Sequence, residues 1–108
     1  MDAQMKKGIL EMCILYLVSK ENVYGYDLIK IMHKYFPDVN ESTFYAVLRR
    51  LSKDGSTEIY MGQVSGGPVR KYYKITENGI KYLNDSVTDW NNINEIIHII
   101  GVDFVHNK

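Results

Sequence analysis

The chain has 108 residues, carries 13 basic and 13 acidic side chains, and is 45% hydrophobic. This length suffices for one domain and leaves too little chain for a separate catalytic module. The hydrophobic share is that of an ordinary globular protein. The longest apolar run, residues 9–18, is interrupted by Glu11 and is shorter than the roughly 18 residues of a membrane span, so we expect no membrane association.

The N-terminal segment and the cysteine content together indicate a cellular compartment. Two lysines precede an apolar run, as in a signal peptide, but small residues suited to a cleavage site are missing. We therefore interpret this run as a core helix. Cys13 is the one cysteine, so an internal disulfide cannot form, and we expect a reducing cytoplasmic location.

The charges sum to zero but are unevenly distributed. Residues 42–74 contain six basic and two acidic residues, whereas residues 75–105 contain one basic and five acidic residues. The first 41 residues are nearly balanced, with five basic and six acidic residues. Because the local field decides where phosphate binds, the basic middle of the chain is a candidate surface for nucleic acid.

Helical periodicity dominates the first half of the chain. Residues 5–19 predict a first helix that is apolar on most faces and therefore central. Residues 24–36 predict an amphipathic second helix that ends before Pro37. A third helix is predicted to begin near Asn40–Ser42, where both terminal residues are good N-caps, and to end at Gly55.

After the third helix the period becomes that of a strand. Residues 57–61 alternate and residues 70–75 are rich in strand formers, so with the Gly-rich segment 62–68 between them they predict an antiparallel hairpin. Thr76 is then the predicted N-cap of a long last helix that ends near Ile100. One side of this helix carries residues at alternating steps of three and four: Ile80, Leu83, Val87, Trp90, Asn94 and Ile97.

This order predicts a mainly α fold with a small β-hairpin. We expect a winged helix-turn-helix DNA-binding domain over residues 1–76, followed by a C-terminal dimerisation helix and tail over residues 77–108. The last helix has no obvious partner within so small a domain, so its apolar side predicts burial against a second copy of the chain. The predicted dimer interface consists of Leu83, Val87, Trp90, Ile93 and Ile97.

The third helix is the strongest functional signal in the sequence. If Phe44, Val47, Leu48 and Leu51 face the core, hydroxyl and basic residues face outward, and arginine can bind phosphate or the guanine edge. A solvated helix face would show the same pattern, but the hairpin that follows favours DNA recognition, because winged domains present both elements to a duplex. The predicted contacts are Ser42, Thr43, Tyr45, Arg49, Arg50 and Lys53.

Three sequence blocks carry a resemblance to a known family. They are YGYDLI from Tyr24, STFYAVLRRL from Ser42 with Lys53-Asp54-Gly55 after it, and GPVRKYYKITENG from Gly67. In this order they resemble the PadR family of transcriptional regulators, over residues 5 to about 100. The short C-terminal region resembles the branch that includes multidrug-responsive repressors. One departure is Ser56, where the family usually has an aromatic or aliphatic residue.

The resemblance implies a homodimeric repressor that binds a palindromic operator. In some members of the family a flat hydrophobic ligand pocket lies at the dimer centre. The family also places a tyrosine pair at the start of the second helix, near the DNA backbone, so Tyr24 and Tyr26 are predicted either to contact phosphate or to pack. In the hairpin, Gly66, Arg70 and Lys71 are predicted to contact phosphate or the minor groove, the alternative being a solvated hairpin.

Trp90, the one tryptophan, lies midway along the apolar side of the last helix. Dimer packing and ligand contact are both open interpretations of this residue. As a ligand site, it would stack on a planar aromatic effector, preferably a cation, because the surrounding segment is acidic. The other predicted ligand contacts are Met5, Ile9, Met12 and Asn94.

The sequence lacks a pattern for catalysis, a metal or a cofactor. Its three histidines are scattered without metal-ligand spacing, and a carboxylate pair suited to acid–base catalysis is not identifiable. We therefore expect a sequence-specific DNA-binding transcriptional regulator. The alternatives are a small-ligand-binding protein, or a protein-interaction module on a winged-helix scaffold without specific DNA binding.

Overall fold

Four helices and three strands form the fold in the computed structural model, which describes residues 3–63 and 65–107. The order of these elements confirms the predicted mainly α winged-helix architecture. In chain order they are α1 (Ala3–Lys20), β1 (Val23–Tyr24), α2 (Gly25–Tyr35), α3 (Glu41–Lys53), β2 (Thr57–Gly62), β3 (Arg70–Ile75) and α4 (Glu77–Ile100).

The sheet contains one strand more than the sequence predicted. β3 is central and pairs antiparallel with β2 on one side and with β1 on the other. Tyr72 is opposite Tyr60 in β2 and opposite Tyr24 in β1. With only two residues, β1 is too short for an alternating pattern to reveal it. Its pairing attaches the start of α2 to the hairpin, which is the wing of the domain.

The core lies where α1, α2 and α3 meet beneath the sheet. Four α3 residues that the sequence placed inside, Phe44, Val47, Leu48 and Leu51, are all buried, so the predicted inward face of this helix is confirmed. α1 contacts α2, α3, α4 and β3, in agreement with its predicted central position. Its fully buried residues are Leu10, Ile14 and Leu15, with Val18 nearly so.

Capping residues set the ends of α3 and α4. Gly55 follows α3 with a φ of 81°, and the N–H of Ser56 donates to the carbonyl oxygen of Leu51 at 2.8 Å. Asn40 is the N-cap residue of α3, but its side chain forms no capping hydrogen bond. Thr76 caps α4 as predicted, because its side-chain oxygen accepts from the N–H of Gly79 at 3.0 Å.

Only the beginning of α4 contributes residues to the core, although the helix runs beside α1 as far as Ile93. Gly79 and Leu83 are buried, whereas the apolar residues beyond them are exposed. Leu83, which the sequence assigned to a dimer interface, is only 5% exposed and belongs to the core of its own chain. The exposed apolar residues beyond it are Val87, Trp90, Ile93, Ile96, Ile97, Ile99 and Ile100.

The remainder of α4 gives the molecule its elongated shape. The principal extents are 65, 29 and 21 Å, and the whole of α4, with 24 residues, is about 36 Å long. Although α4 is long enough to span a bilayer, neither it nor another helix of the described ranges combines sufficient length with sufficient apolar character to do so.

Candidate nucleic-acid interface

The outward face of α3 presents polar and basic side chains to solvent. Successive helical residues are rotated by about 100°, so Ser42, Arg49 and Lys53 lie on the side opposite the buried residues. All three are exposed, as is Tyr45 at one flank of this face. Thr43, at the other flank, is half-buried because that flank faces α1.

Arg50 lies on the flank of α3 that faces α1, and not on the outward face where the sequence placed it. Its Nη2 donates to Oε1 of Glu11 at 2.9 Å, and one third of the side chain remains exposed. Glu11, in contrast, is 7% exposed. The sequence showed this glutamate only as an interruption of an apolar run, because its partner is 39 positions away.

The second oxygen of the Glu11 carboxylate is bound by α4. The hydroxyl of Tyr82 donates to Oε2 of Glu11 at 2.7 Å. This hydrogen bond, with burial and the negative charge of Glu11 adding to it, raises the pKa of Tyr82 to about 12. Tyr82 therefore remains a hydrogen-bond donor throughout the physiological pH range.

A row of tyrosine rings connects the start of α2 to the wing. The centroids of Tyr24 and Tyr26 are 5.9 Å apart, those of Tyr24 and Tyr72 are 6.0 Å apart, and those of Tyr72 and Tyr60 are 5.5 Å apart. Aromatic pairs at these separations attract each other. Tyr24 therefore packs within the row, whereas Tyr26, at its end, is half-exposed.

The wing carries basic residues beside its turn. The guanidinium of Arg70 lies 4.9 Å from the ring centroid of Tyr24, which is cation–π distance. Lys71 is exposed on the opposite side of β3 from Arg70, since neighbouring strand residues point to opposite faces. Gly66 has a φ of 74° in the turn, a backbone conformation that glycine adopts without strain.

Tyr73, next to the row, is part of the core, and two residues of α3 influence its pKa. It is 5% exposed, as expected for a residue that packs the wing onto the helices. Burial raises the pKa of Tyr73, Tyr45 adds to this, and the positive charge of Arg49 opposes it. Tyr45 and Arg49 are thus the α3 residues whose charges influence the pKa of Tyr73.

The structure brings most of the predicted ligand-contacting residues together. Met5, Ile9, Met12 and Trp90 line a cleft of about 210 Å³ between α1 and α4, and Tyr82 lines it as well. Asn94 does not belong to this group, because it lines a separate cleft farther along α4. Ile93 lines the first cleft, whereas Asn94, the next residue in the helix, is rotated by about 100° from it.

A larger cleft, which the sequence did not predict, lies on the other side of Trp90. It measures about 540 Å³ and is formed by α1, α2 and α4. Burial raises the pKa of the Cys13 thiol in its wall, so this cysteine is a poor nucleophile. The remaining lining residues are Met12, Tyr16, Leu17, Met32, Tyr35, Phe36 and Val87.

Comparisons with known proteins agree with this arrangement. The model of the PadR-like family of transcriptional regulators matches residues 14–85. An uncharacterised protein of Lysinibacillus sphaericus is 38% identical over 96 residues, which cover 86% of this chain and 88% of that protein.

Solved structures give the same result for the fold. A PadR-like transcriptional regulator from Bacillus cereus has a TM-score of 0.81 at 37% identity, covering 94% of this chain and 100% of the other. A Streptococcus transcriptional regulator has a TM-score of 0.84 at 26% identity, with the same coverage. These relatives are regulators and not enzymes. The chain thus belongs to the PadR-like family of transcriptional regulators, whose members bind DNA through a winged helix.

Proposed function

We propose that the chain is a sequence-specific repressor that binds a palindromic operator as a homodimer. The observation that carries this proposal is the exposed row of Ser42, Arg49 and Lys53 on α3, with the basic wing beside it. An α-helix fits the major groove, where arginine recognises the O6 and N7 atoms of guanine through two hydrogen bonds. α3 is therefore the recognition helix of the proposed complex.

The contacts fall into two classes. Arg49 is the base-reading arginine, because it is exposed on the outward face, with Ser42 and Lys53 along the same line. Thr43 and Tyr45 flank this line. The wing, through Gly66, Arg70 and Lys71, and the half-exposed Tyr26 hold the phosphate backbone, which supplies affinity and no sequence information directly. Arg50 belongs to neither class, because its guanidinium is bonded to Glu11.

The exposed surface of α4 supports the proposed dimer. Val87, Trp90, Ile93 and Ile97 are all more than a third exposed although their side chains are apolar. Continuous apolar surface of this kind marks protein interfaces. A second copy of the chain is the favoured partner, because its own α4 has the same apolar surface. A two-fold axis would place two recognition helices in successive major grooves, about 34–36 Å apart, on a palindromic site.

Trp90 supports the proposal of an effector that relieves repression. Its ring borders both clefts described above, and methionine side chains, which adapt to guests of different shape, line both of them. Asp89 lines the smaller cleft, so a planar aromatic cation is favoured over an anion. Such a cation should quench the fluorescence of Trp90, with saturation near one ligand per dimer if the two Trp90 rings enclose it at the dimer axis. Trp90→Ala should abolish binding, which calorimetry measures because the variant lacks the fluorescent reporter.

Selection of duplexes from a randomised library with the purified protein tests the main proposal. We expect enrichment of a palindromic sequence, and Arg49→Ala should then weaken binding to it by about 1–3 kcal/mol. Lys81→Ala is the matched control, because it removes an exposed cation from α4 and should leave binding unchanged.

Two results would contradict the proposal. If no sequence is enriched, the alternative of a protein-interaction or ligand-binding module gains support. If Arg49→Ala binds like the wild type at matched salt concentration, the recognition face has been assigned wrongly.

A further inference from the structure

A single buried carboxylate joins three helices of the protein. Glu11 in α1 accepts from Arg50 of the recognition helix with one oxygen and from Tyr82 of α4 with the other. Among the side chains that the structure describes, those of residues 5–63 and 65–107, these are the two hydrogen bonds that link different helices. Other contacts between these helices are mainly apolar.

Burial makes the two hydrogen bonds interdependent. A carboxylate removed from water is costly unless both oxygens are bonded, and Glu11 is 7% exposed. Displacement of Tyr82 leaves one oxygen without its donor, and the carboxylate then moves to regain a partner. Since the Arg50 guanidinium is bonded to the same carboxylate, a movement of that carboxylate also changes the position of the guanidinium.

The position of Arg50 matters because it follows Arg49 directly in α3. The buried face of α3 sets the approximate rotation of this helix, because its four apolar residues pack tightly in the core. A charge-assisted hydrogen bond of 2.9 Å adds a directional contact at one flank, and it therefore restricts the remaining rotation of the recognition helix relative to α1. The outward direction of Arg49 depends on that rotation.

Tyr82, the partner of Glu11 in α4, lies in the smaller of the two clefts beside Trp90. Tyr82 lines that cleft together with Met5, Ile9 and Met12. A displacement of α4 at the cleft moves the Tyr82 hydroxyl, and this changes its hydrogen bond to Glu11.

We propose that Glu11 is a positioning residue for DNA recognition, which couples the position of α4 to the rotation of the recognition helix through Tyr82 and Arg50. The inference rests on the proposed function of α3. In it, Arg50 contributes to DNA binding through its bond to Glu11 and not by reading bases.

Tyr82→Phe is the primary test, because it removes one hydroxyl and keeps the partly exposed ring. Affinities are measured for a duplex selected by the wild type and for an unrelated duplex at the same salt concentration. The ratio of the two should fall about threefold to tenfold, the equivalent of one hydrogen bond, while affinity for the unrelated duplex stays constant. Ser86→Ala is the control, since its hydroxyl bonds only to the Tyr82 carbonyl.

A double-mutant cycle separates coupling from two independent losses. In an Arg50→Ala background, Tyr82→Phe should produce no further change in the affinity ratio, because the connection is already broken. Equal effects of Tyr82→Phe in both backgrounds would overturn the proposal.

Amide hydrogen exchange provides a readout that does not require DNA. Tyr82→Phe should accelerate exchange of the α3 amides around Arg50, and Ser86→Ala should not. If Tyr82→Phe lowers the urea midpoint while α3 exchange and the affinity ratio remain those of the wild type, Glu11 has a merely structural role. If the wild type selects no duplex, the proposed function fails, and hydrogen exchange still decides whether the helices are coupled.

Discussion

Replacement of Gly79 by alanine tests the closest approach in the fold. A Cβ atom at this position would lie 2.0 Å from the carbonyl oxygen of Ser56 and 2.8 Å from Cγ1 of Ile75. The isoleucine side chain can rotate, but the Ser56 oxygen belongs to the backbone and accepts from the N–H of Thr76 at 3.1 Å. Relief of the clash therefore requires α4 to move away from the end of α3.

The expected cost follows from the contacts that such a movement disturbs. Overpacking costs about 1–3 kcal/mol, and loss of a hydrogen bond at the Thr76 cap costs about 1 kcal/mol more. The higher helix propensity of alanine returns about 1 kcal/mol, so Gly79→Ala should lower the free energy of unfolding by about 1–3 kcal/mol. In a domain of this size each kcal/mol lowers Tm by roughly 4–8 °C.

Gly8→Ala is the matched control. Gly8 is also a helical glycine, but a Cβ atom built there meets nothing within 4 Å. Alanine at this position should therefore raise the free energy of unfolding by about 0.5–1 kcal/mol. Urea unfolding of both variants at one protein concentration measures the two effects, because self-association makes stability depend on concentration. Equal stability of Gly79→Ala and the wild type would refute the packing of α4 on Ser56.

Three further predictions concern Tyr82, the wing and α4. Because the pKa of Tyr82 is raised to about 12, its stabilising effect is complete below the ordinary tyrosine pKa near 10 and is lost as the pH rises towards 12. Urea unfolding should show this decline in stability with pH, and the decline should be smaller in Tyr82→Phe. The double variant Arg70→Ala, Lys71→Ala should lower affinity for all duplexes. It should also reduce the dependence of log affinity on log salt concentration by about one unit for each phosphate that the wing no longer binds. An unchanged salt dependence would exclude the wing from phosphate binding. Truncation before Val87 should give a monomer in sedimentation velocity, and a truncated chain that stays dimeric would contradict the assigned interface.

The sequence predicted the features that depend on local periodicity. Three such predictions are confirmed: the order of helices and hairpin, the inward face of α3 from Phe44 to Leu51, and the Thr76 cap. Each of these depends on a few consecutive residues. β1 was missed because two residues do not establish a period.

The interactions that the sequence did not reveal are those between distant residues. Glu11 is 39 positions from Arg50 and 71 positions from Tyr82, and a lone glutamate in an apolar run does not identify either partner. Periodicity likewise grouped Leu83 with Trp90 on one side of α4. It did not show that the chain's own core ends after Leu83, because periodicity defines a shared face and not how far along the helix the neighbouring elements extend.

The division of charge between the two halves of the chain explains how a protein with zero net charge can approach DNA in one orientation. Residues 42–74, which include α3 and the wing, have an excess of four positive charges, and residues 75–105, mostly α4, have an excess of four negative charges. α4 extends about 36 Å, several times the Debye length of about 8 Å at physiological ionic strength, so its far end does not cancel the field at α3. In the proposed complex, the duplex is attracted to the recognition helix and wing and repelled from α4. The apolar surface of α4 would then serve the proposed dimer without competing for the phosphates.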